Sequence, residues 1–188
     1  YSITLDRYST DWTEGLRRRG FPKIIGHERE IQQMERILSR QELNNVLLIG
    51  EAGTGRKILV YGLAKKSFLG QSLPEINYKR FVELDLTSLL SSFSSQEEAE
   101  SVLSEIFNEI MFAGNIVLII SDFHNFIGLK KEAGAINVAG IIKPYLELPN
   151  FQLIAITDPA GYRKSIENNS MASLFDKVEV AEATEEET

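Results

Sequence analysis

The stretch Gly50-Glu51-Ala52-Gly53-Thr54-Gly55-Arg56-Lys57 decides the fold, because it nearly matches the phosphate-binding loop pattern G-x-x-x-x-G-K-[ST]. Its glycine spacing is complete, so successive backbone N–H groups can converge on an anion at the positive end of the following helix. In the full pattern a lysine reaches the phosphates and a Ser or Thr hydroxyl holds Mg²⁺. Arg56 and Lys57 occupy these two places, and an ammonium group cannot coordinate a cation. The glycine spacing predicts an anion-binding fold, whereas the residues at positions 56 and 57 argue against catalysis. The alternative interpretation is a glycine-rich turn without a ligand.

Length and composition indicate one globular domain. Of the 188 residues, 43% are hydrophobic, which is enough for a sizeable core. No cysteine is present, so a disulfide and a thiolate zinc site are both excluded, which suits a reducing compartment. No apolar run approaches the roughly 20 residues of a membrane span, and no signal-like segment is found. We expect a cytoplasmic protein, and its start at Tyr1 rather than Met leads us to expect a piece of a longer chain.

The charge balance argues against nucleic acid as a partner. The net charge is -7, whereas nucleic-acid affinity comes largely from basic patches that neutralise phosphates. Arg17, Arg18 and Arg19 form the one dense basic cluster in the sequence. A run of this length is typical of a solvated helix face, and a nucleic-acid contact is the alternative.

Apolar runs alternate with helical patterns along the chain. Strands are predicted at residues 45–49, 81–86, 115–120, 151–156 and 178–180. Helices are predicted at residues 56–68 and 96–112, with a further helix ending near Pro144. This alternation predicts an α/β fold with a mostly parallel central sheet covered on both faces. In such folds ligands bind outside the carboxyl ends of the strands, where Gly50 begins its loop.

Several segments outside the loop carry patterns of one protein family. They are Leu5–Tyr8 with Asp11 and Thr13, Ile24–His27 with Glu30 and Ile31, Gly134–Asn137, Ile141–Pro144, and Tyr162–Lys164. In this order they resemble the first nucleotide-binding domain of the Clp-type AAA+ unfoldases, the ClpB and ClpC class of hexameric protein-remodelling ATPases. The resemblance implies a P-loop NTPase (AAA+) fold, a three-layer sandwich. Residues 1–20 would be the linker and residues 21–188 the large α/β subdomain, without the small helical lid subdomain.

The same resemblance assigns a nucleotide site. Residues 50–57 would hold the phosphates of ATP or ADP, and Ile24 and Ile25 would line the adenine pocket. Arg56 and Lys57 can neutralise phosphates without Mg²⁺, so we expect weak, metal-independent nucleotide binding. No metal-binding residue is assigned.

The stretch Val117–Asp122 matches the Walker B pattern only in part. Ser121 stands where the family has the metal-supporting Asp, and Asp122 stands where it has the catalytic Glu. A carboxylate displaced by about an ångström can lose roughly 10²-fold in rate. The alternative for Asp122 is a strand-end residue that caps the next turn. His124 matches a family His, and Thr157 matches the polar sensor residue at the end of a later strand.

Two further family features are altered. The segment Ala172–Phe175 lacks the arginines that act on a neighbouring subunit's site, where such a finger is worth roughly 10³ to 10⁵ in rate. Arg163 belongs to a different matching segment and is not assigned this function. Ser94–Glu98 replaces the pore loop that grips a polypeptide, and it fits a helix start. The nearby Phe93 is interpreted as a residue packed on that helix, or alternatively as a displaced grip.

Three functional hypotheses follow. The first is a catalytically degenerate pseudo-ATPase, a scaffold or regulatory module of a Clp-type protein-remodelling assembly. The second is an active ATP-hydrolysing Clp subunit in which Lys57 and Asp122 take over shifted catalytic tasks. The third is a pure protein-interaction module of a larger chain. In each case the expected partners are proteins, including other AAA+ subunits in a hexamer of the full-length protein.

Overall fold

The chain folds into a single mixed sheet flanked by helices in the computed structural model, which describes residues 3–20, 26–52, 55–127 and 137–180. The strands are β1 (Ser9–Asp11), β2 (Val46–Ile49), β3 (Arg80–Leu84), β4 (Ile116–Ile120), β5 (Gln152–Thr157) and β6 (Asp176–Glu179). The helices are α1 (Ile3–Arg7), α2 (Trp12–Arg19), α3 (Glu28–Leu38), α4 (Arg56–Phe68), α5 (Leu86–Ser91), α6 (Gln96–Ala113), α7 (Val138–Leu146) and α8 (Pro159–Gly161). Shorter helical turns cover Phe123–Asn125, Tyr162–Ile166 and Ser170–Leu174.

The six strands are ordered β1-β3-β4-β5-β2-β6. Within the described ranges, the β1–β3 pair is antiparallel and all other neighbours are parallel, so the predicted mostly parallel sheet is confirmed. The register sets Ile49 at the end of β2 beside Thr157 on β5. It also sets Glu83 on β3 beside Ile119 on β4. The carboxyl ends of these four strands therefore meet along one edge of the sheet.

Each face of the sheet carries its own core, and β4 shows why. All five of its residues are buried, and their side chains alternate between the two faces. Val117 packs with residues of α3 and α4, including Met34, whereas Leu118 packs with residues of α6 and α7, including Phe107. A strand buried on both sides reads as a continuous apolar run, and helices on both faces complete three layers.

The bounds of three predicted elements are wrong, and one of these is the last strand, predicted at residues 178–180 and observed as β6 at Asp176–Glu179. The alternation at residues 81–86 predicts a strand through Leu86, but β3 ends at Leu84 because the Asp85 carboxylate accepts a hydrogen bond from Ser88 N at 3.0 Å. This contact caps α5 and turns the chain into a helix. The helix predicted to end near Pro144 instead continues to Leu146, with Pro144 in its last turn.

The basic cluster of α2 lies on a solvated helix face. The Asp11 carboxylate caps the helix by accepting a hydrogen bond from Glu14 N at 3.0 Å. Arg17 and Arg18 are exposed and pair with Glu14 at 3.7 and 3.2 Å. These contacts within one helix are those that the solvated-face interpretation predicts.

Among the described residues, no helix combines the length and apolar character that crossing a membrane requires. Part of the Gly134–Asn137 segment and the acidic end after Val180 lie outside the described residues.

Candidate functional site

The candidate site lies where β2 ends and α4 begins. Gly50 closes the edge of the sheet by donating a backbone hydrogen bond to the Thr157 carbonyl at 3.1 Å. Gly55 precedes α4 with a φ of 84°, a conformation that glycine adopts without a steric penalty. Since Gly55 has no side chain, it offers no side-chain acceptor to the first N–H groups of α4. The start of this helix is therefore suited to an anion from elsewhere.

Four residues predicted to bind nucleotide cannot be placed in this geometry. Gly53 and Thr54 of the loop, and Ile24 and Ile25 of the predicted adenine pocket, lie outside the described residues. Glu51 and Ala52, which precede them in the loop, are exposed.

Arg56 is the first residue of α4 and carries a buried donor without an acceptor. Its Nη1 atom is shielded from solvent and has no hydrogen-bond partner among the described residues. A buried donor on a charged group costs free energy until an acceptor satisfies it. A phosphate oxygen is an acceptor of the right charge for a guanidinium group. Arg56 therefore fits the phosphate-binding function predicted for it.

Lys57 points to the neighbouring strands. Its Nζ atom lies 3.7 Å from Oε1 of Glu83, with the lysine side chain about half exposed and the glutamate largely buried. The position that provides a metal-binding hydroxyl in the full loop pattern thus holds an ammonium group paired to a carboxylate. The pair links the start of α4 to the carboxyl end of β3.

Glu83 is the centre of a polar cluster that joins three elements. Its Oε2 accepts a hydrogen bond from the Ser121 hydroxyl at 2.7 Å, and its Oε1 accepts one from Trp12 Nε1 at 3.2 Å. Trp12 is itself buried and lies against Tyr61 of α4, with ring centroids 4.4 Å apart. Ser121, predicted to stand at the position of the metal-supporting carboxylate, is therefore occupied as a donor to a neighbouring carboxylate.

Asp122 is exposed and adopts a left-handed backbone conformation with a φ of 51°. Its side chain makes no capping hydrogen bond to the turn that follows, so its interpretation as a capping residue is wrong. With Lys57, Glu83 and Ser121 it lines a polar cleft of about 350 Å³. Asp122 therefore lines the same cleft as the Lys57–Glu83 pair and Ser121.

Thr157, predicted as the retained sensor residue, is fully buried and bonded within the protein. Its hydroxyl lies 2.7 Å from His124 Nδ1 and also donates to the Asp158 carbonyl at 3.2 Å. Gly161 leaves the room for this ring, because a Cβ atom there would lie 2.3 Å from His124 Cγ. Thr157, His124 and Gly161 thus form a tight unit beside the cleft.

Replacing Gly161 with alanine is expected to destabilise the protein by about 1 to 3 kcal/mol, the usual cost of overpacking. Gly161 has a φ of -62°, which alanine adopts freely, so the cost would come from the His124 ring. Urea unfolding measures the change.

Gly15→Ala is the matched control, because a Cβ there would meet only the flexible end of Arg19. In the helix interior this change is expected to be neutral or stabilising by up to about 1 kcal/mol. Adding His124→Ala to Gly161→Ala should recover most of the loss. An equal loss with and without the ring would contradict the steric explanation.

The segments predicted to stand in place of the arginine finger and the pore loop make packing and capping contacts within the fold. Phe175 is buried, and its ring packs edge-on against Phe123 with centroids 5.5 Å apart. Phe93 is half-buried and packs against the core near Tyr8, with ring centroids 6.3 Å apart, as the packing interpretation predicts. Ser95 caps α6 by accepting a hydrogen bond from Glu98 N at 3.4 Å.

Sequence reasoning missed Glu83 and Trp12. The available signal for Glu83 was a carboxylate inside an otherwise apolar strand pattern, Phe81-Val82-Glu83-Leu84, at the edge where ligands bind. Over the same described ranges, no group of three or more His, Cys, Asp or Glu side chains is arranged to hold a metal ion.

The chain matches a known protein family. The sequence profile of the "ATPase family associated with various cellular activities (AAA)" matches residues 46–158, which is more than half of the chain. This span runs from the start of β2 to just past Thr157 and includes the whole polar cluster except Trp12.

Curated relatives and a solved structure show similarity along nearly the whole chain. The chaperone protein ClpB of Aquifex aeolicus (strain VF5) is 34% identical over 98% of the chain. The ATP-dependent Clp protease ATP-binding subunit ClpA homolog of Guillardia theta is 35% identical over 98% of the chain. The structure of a Hsp104–ADP complex from S. cerevisiae superposes with a TM-score of 0.85 and 29% identity, covering 98% of the chain. The chain spans only 18% and 23% of the two relatives and 26% of that Hsp104 chain.

Proposed function

Since the chain belongs to the AAA family of ATPases and is a Clp-type AAA+ nucleotide-binding domain, we propose that it binds ATP or ADP without hydrolysing it. The observation that carries this proposal is the contact of Lys57 and Ser121 with Glu83. Both residues stand where the catalytic machinery needs metal ligands, and both are committed to one carboxylate. The domain thus acts as a nucleotide-binding scaffold or regulatory module.

Nucleotide binding is supported by Arg56 and the start of α4. The buried Nη1 of Arg56 is a cationic donor without an acceptor in the described part of the chain. The N-terminal end of α4 adds a favourable field for an anion. Residues 50–57, together with Ile24 and Ile25, are the proposed nucleotide-binding residues.

Loss of hydrolysis is supported by the chemistry of the donors. Mg²⁺ takes oxygen ligands in a nearly ideal octahedron, whereas an ammonium group has no lone pair to offer and repels the cation. Lys57 brings such an ammonium to the cleft, and the residues present do not fit the metal. Asp122 is one methylene shorter than the family's glutamate, and the Thr157 hydroxyl is already hydrogen-bonded to His124 and to the Asp158 carbonyl.

The rival function, an active ATPase with shifted residues, has one observation in its favour. The Glu83 carboxylate reaches within 2.7 Å of the Ser121 hydroxyl, so a carboxylate from β3 stands beside the place of the missing Walker B residue. In that case Glu83 would support the metal and Asp122 would activate water. The nearby Lys57 ammonium argues against this assignment.

The partners that we propose are proteins. As a Clp-like domain, the chain would dock against other AAA+ subunits in the full-length assembly and tune them through its nucleotide state.

Titration calorimetry with ATP is expected to show one nucleotide bound per chain, because one loop and one Arg56 are present. Chromatography of the nucleotide recovered after prolonged incubation with the chain should return ATP. A buffer-only incubation corrects for spontaneous hydrolysis. Absence of binding would contradict the proposal, and so would recovery of ADP in excess of the buffer control.

A further inference from the structure

The Lys57 ammonium has a fixed anionic partner that is itself held by two neutral donors. Trp12 Nε1 and the Ser121 hydroxyl each donate a hydrogen bond to Glu83, at 3.2 and 2.7 Å. These contacts fix the carboxylate whether or not Lys57 is present. Glu83 is largely buried, so a nearby cation stabilises its charge. Lys57 supplies that cation at 3.7 Å.

We propose that Glu83 positions the Lys57 ammonium as an internal cation that replaces Mg²⁺, so that the site prefers nucleotide free of metal. The inference rests on the proposed nucleotide binding at the loop and adds Glu83 as its positioning residue. Lys57 is the second residue of α4 and follows Arg56, whose Nη1 atom is buried. Two adjacent cations, one on each residue, then face the phosphates of one ligand.

The arrangement also explains why a metal complex is a poor ligand. Nucleotide with bound Mg²⁺ carries less negative charge and brings a divalent cation toward the Lys57 ammonium. Glu83 is already shared by three partners, so a metal ion bound at its oxygens would compete with the Lys57 ammonium for the same carboxylate. Metal-free nucleotide meets the same ammonium as a counter-ion and displaces nothing.

If the inference is correct, the substitution Lys57→Thr should change how nucleotide binding depends on Mg²⁺. It removes the ammonium, restores a hydroxyl at the metal-binding position and leaves the Glu83 carboxylate without its cation. A hydroxyl and a carboxylate at this point are the donors that Mg²⁺ prefers. The variant should therefore require the metal that the natural chain does without.

Calorimetric titrations with ATP in EDTA and in Mg²⁺ test this inference. The natural chain should bind ATP in EDTA at least as tightly as in Mg²⁺. Lys57→Thr should lose roughly tenfold in EDTA, the usual effect of removing one contact to a charged group, and Mg²⁺ should restore that loss. The double variant Lys57→Thr/Glu83→Gln should lose as much and not respond to Mg²⁺. If Glu83 only stabilised the fold, replacing it with Gln would not change the effect of Mg²⁺ on ATP affinity.

Lys65→Thr, at the other end of α4, is the control for loss of one positive charge and should bind like the natural chain in both buffers. If Mg²⁺ tightens ATP binding to the natural chain tenfold while the bound ATP stays intact, the proposal of an internal cation is wrong and the proposed function stands. A Lys57→Thr variant that ignores Mg²⁺ also overturns it. If no ATP binds under either condition, both proposals fall. Whether Mg²⁺ tightens ATP binding is measured on the natural chain alone, so this part of the test does not depend on the folding of a variant.

Discussion

Replacing Arg56 with alanine is expected to weaken ATP binding by about 10-fold to 100-fold, the usual effect of removing a hydrogen bond to a charged group. The buried Nη1 of this residue has no acceptor in the described part of the protein, and a phosphate is the acceptor that we assign to it. The guanidinium group also offers two parallel donors to one phosphate, which an alanine removes together. Titration calorimetry measures the change.

The control for this loss is Arg18→Ala, which removes the same charge from an exposed position whose ion pair stays within α2. It should leave ATP affinity unchanged. Arg56→Lys keeps the positive charge and should retain a larger share of the affinity than alanine does. If Arg56→Ala binds ATP as tightly as the natural chain, the phosphate lies elsewhere and the assignment of the loop is wrong.

Replacing Phe123 with alanine is expected to destabilise the fold by about 3 to 5 kcal/mol, the range for removing a buried phenylalanine. Phe123 is fully buried, and its ring packs edge-on against Phe175. It lies directly between Asp122 and His124, so its packing anchors the turn that carries both. Urea unfolding of the natural chain and the variant gives the difference in free energy.

Phe112→Ala is the matched control, because that side chain is 81% exposed on α6. It should change stability by no more than about 0.5 kcal/mol. A loss at Phe123 as small as the one at Phe112 would show that the turn after β4 is not held by this core. Such a result would also mean that the packing of Phe123 does not hold Asp122 in its position.

The parts of the fold that the sequence predicts are those with local signals. β4 is an unbroken apolar run and lies in the centre of the sheet as predicted, and α4 spans residues 56–68 as predicted. The end of β3 is missed because the apolar alternation continues to Leu86. A local signal was present there, since Asp85 stands three residues before the backbone N–H that it caps.

The polar cluster of the site is beyond sequence reasoning for a physical reason. Glu83 is bonded to Trp12 across 71 residues and to Ser121 across 38. Such contacts depend on which strands become neighbours and on their register, and no local periodicity contains that information. Arg56 and Lys57 are recognised as unusual from sequence alone. The structure adds their different surroundings: Arg56 has a buried donor without an acceptor among the described residues, and Lys57 has an ion pair.

The most direct test of the account is phosphate release by the chain under multiple-turnover conditions, with saturating ATP and Mg²⁺ and with Asp122→Ala as the reference. We predict that the natural chain releases phosphate no faster than Asp122→Ala or buffer alone, because its metal-binding positions are committed to Glu83. The result that would contradict the account is steady phosphate release by the natural chain that Asp122→Ala abolishes. That outcome would identify Asp122 as a catalytic residue of an active ATPase.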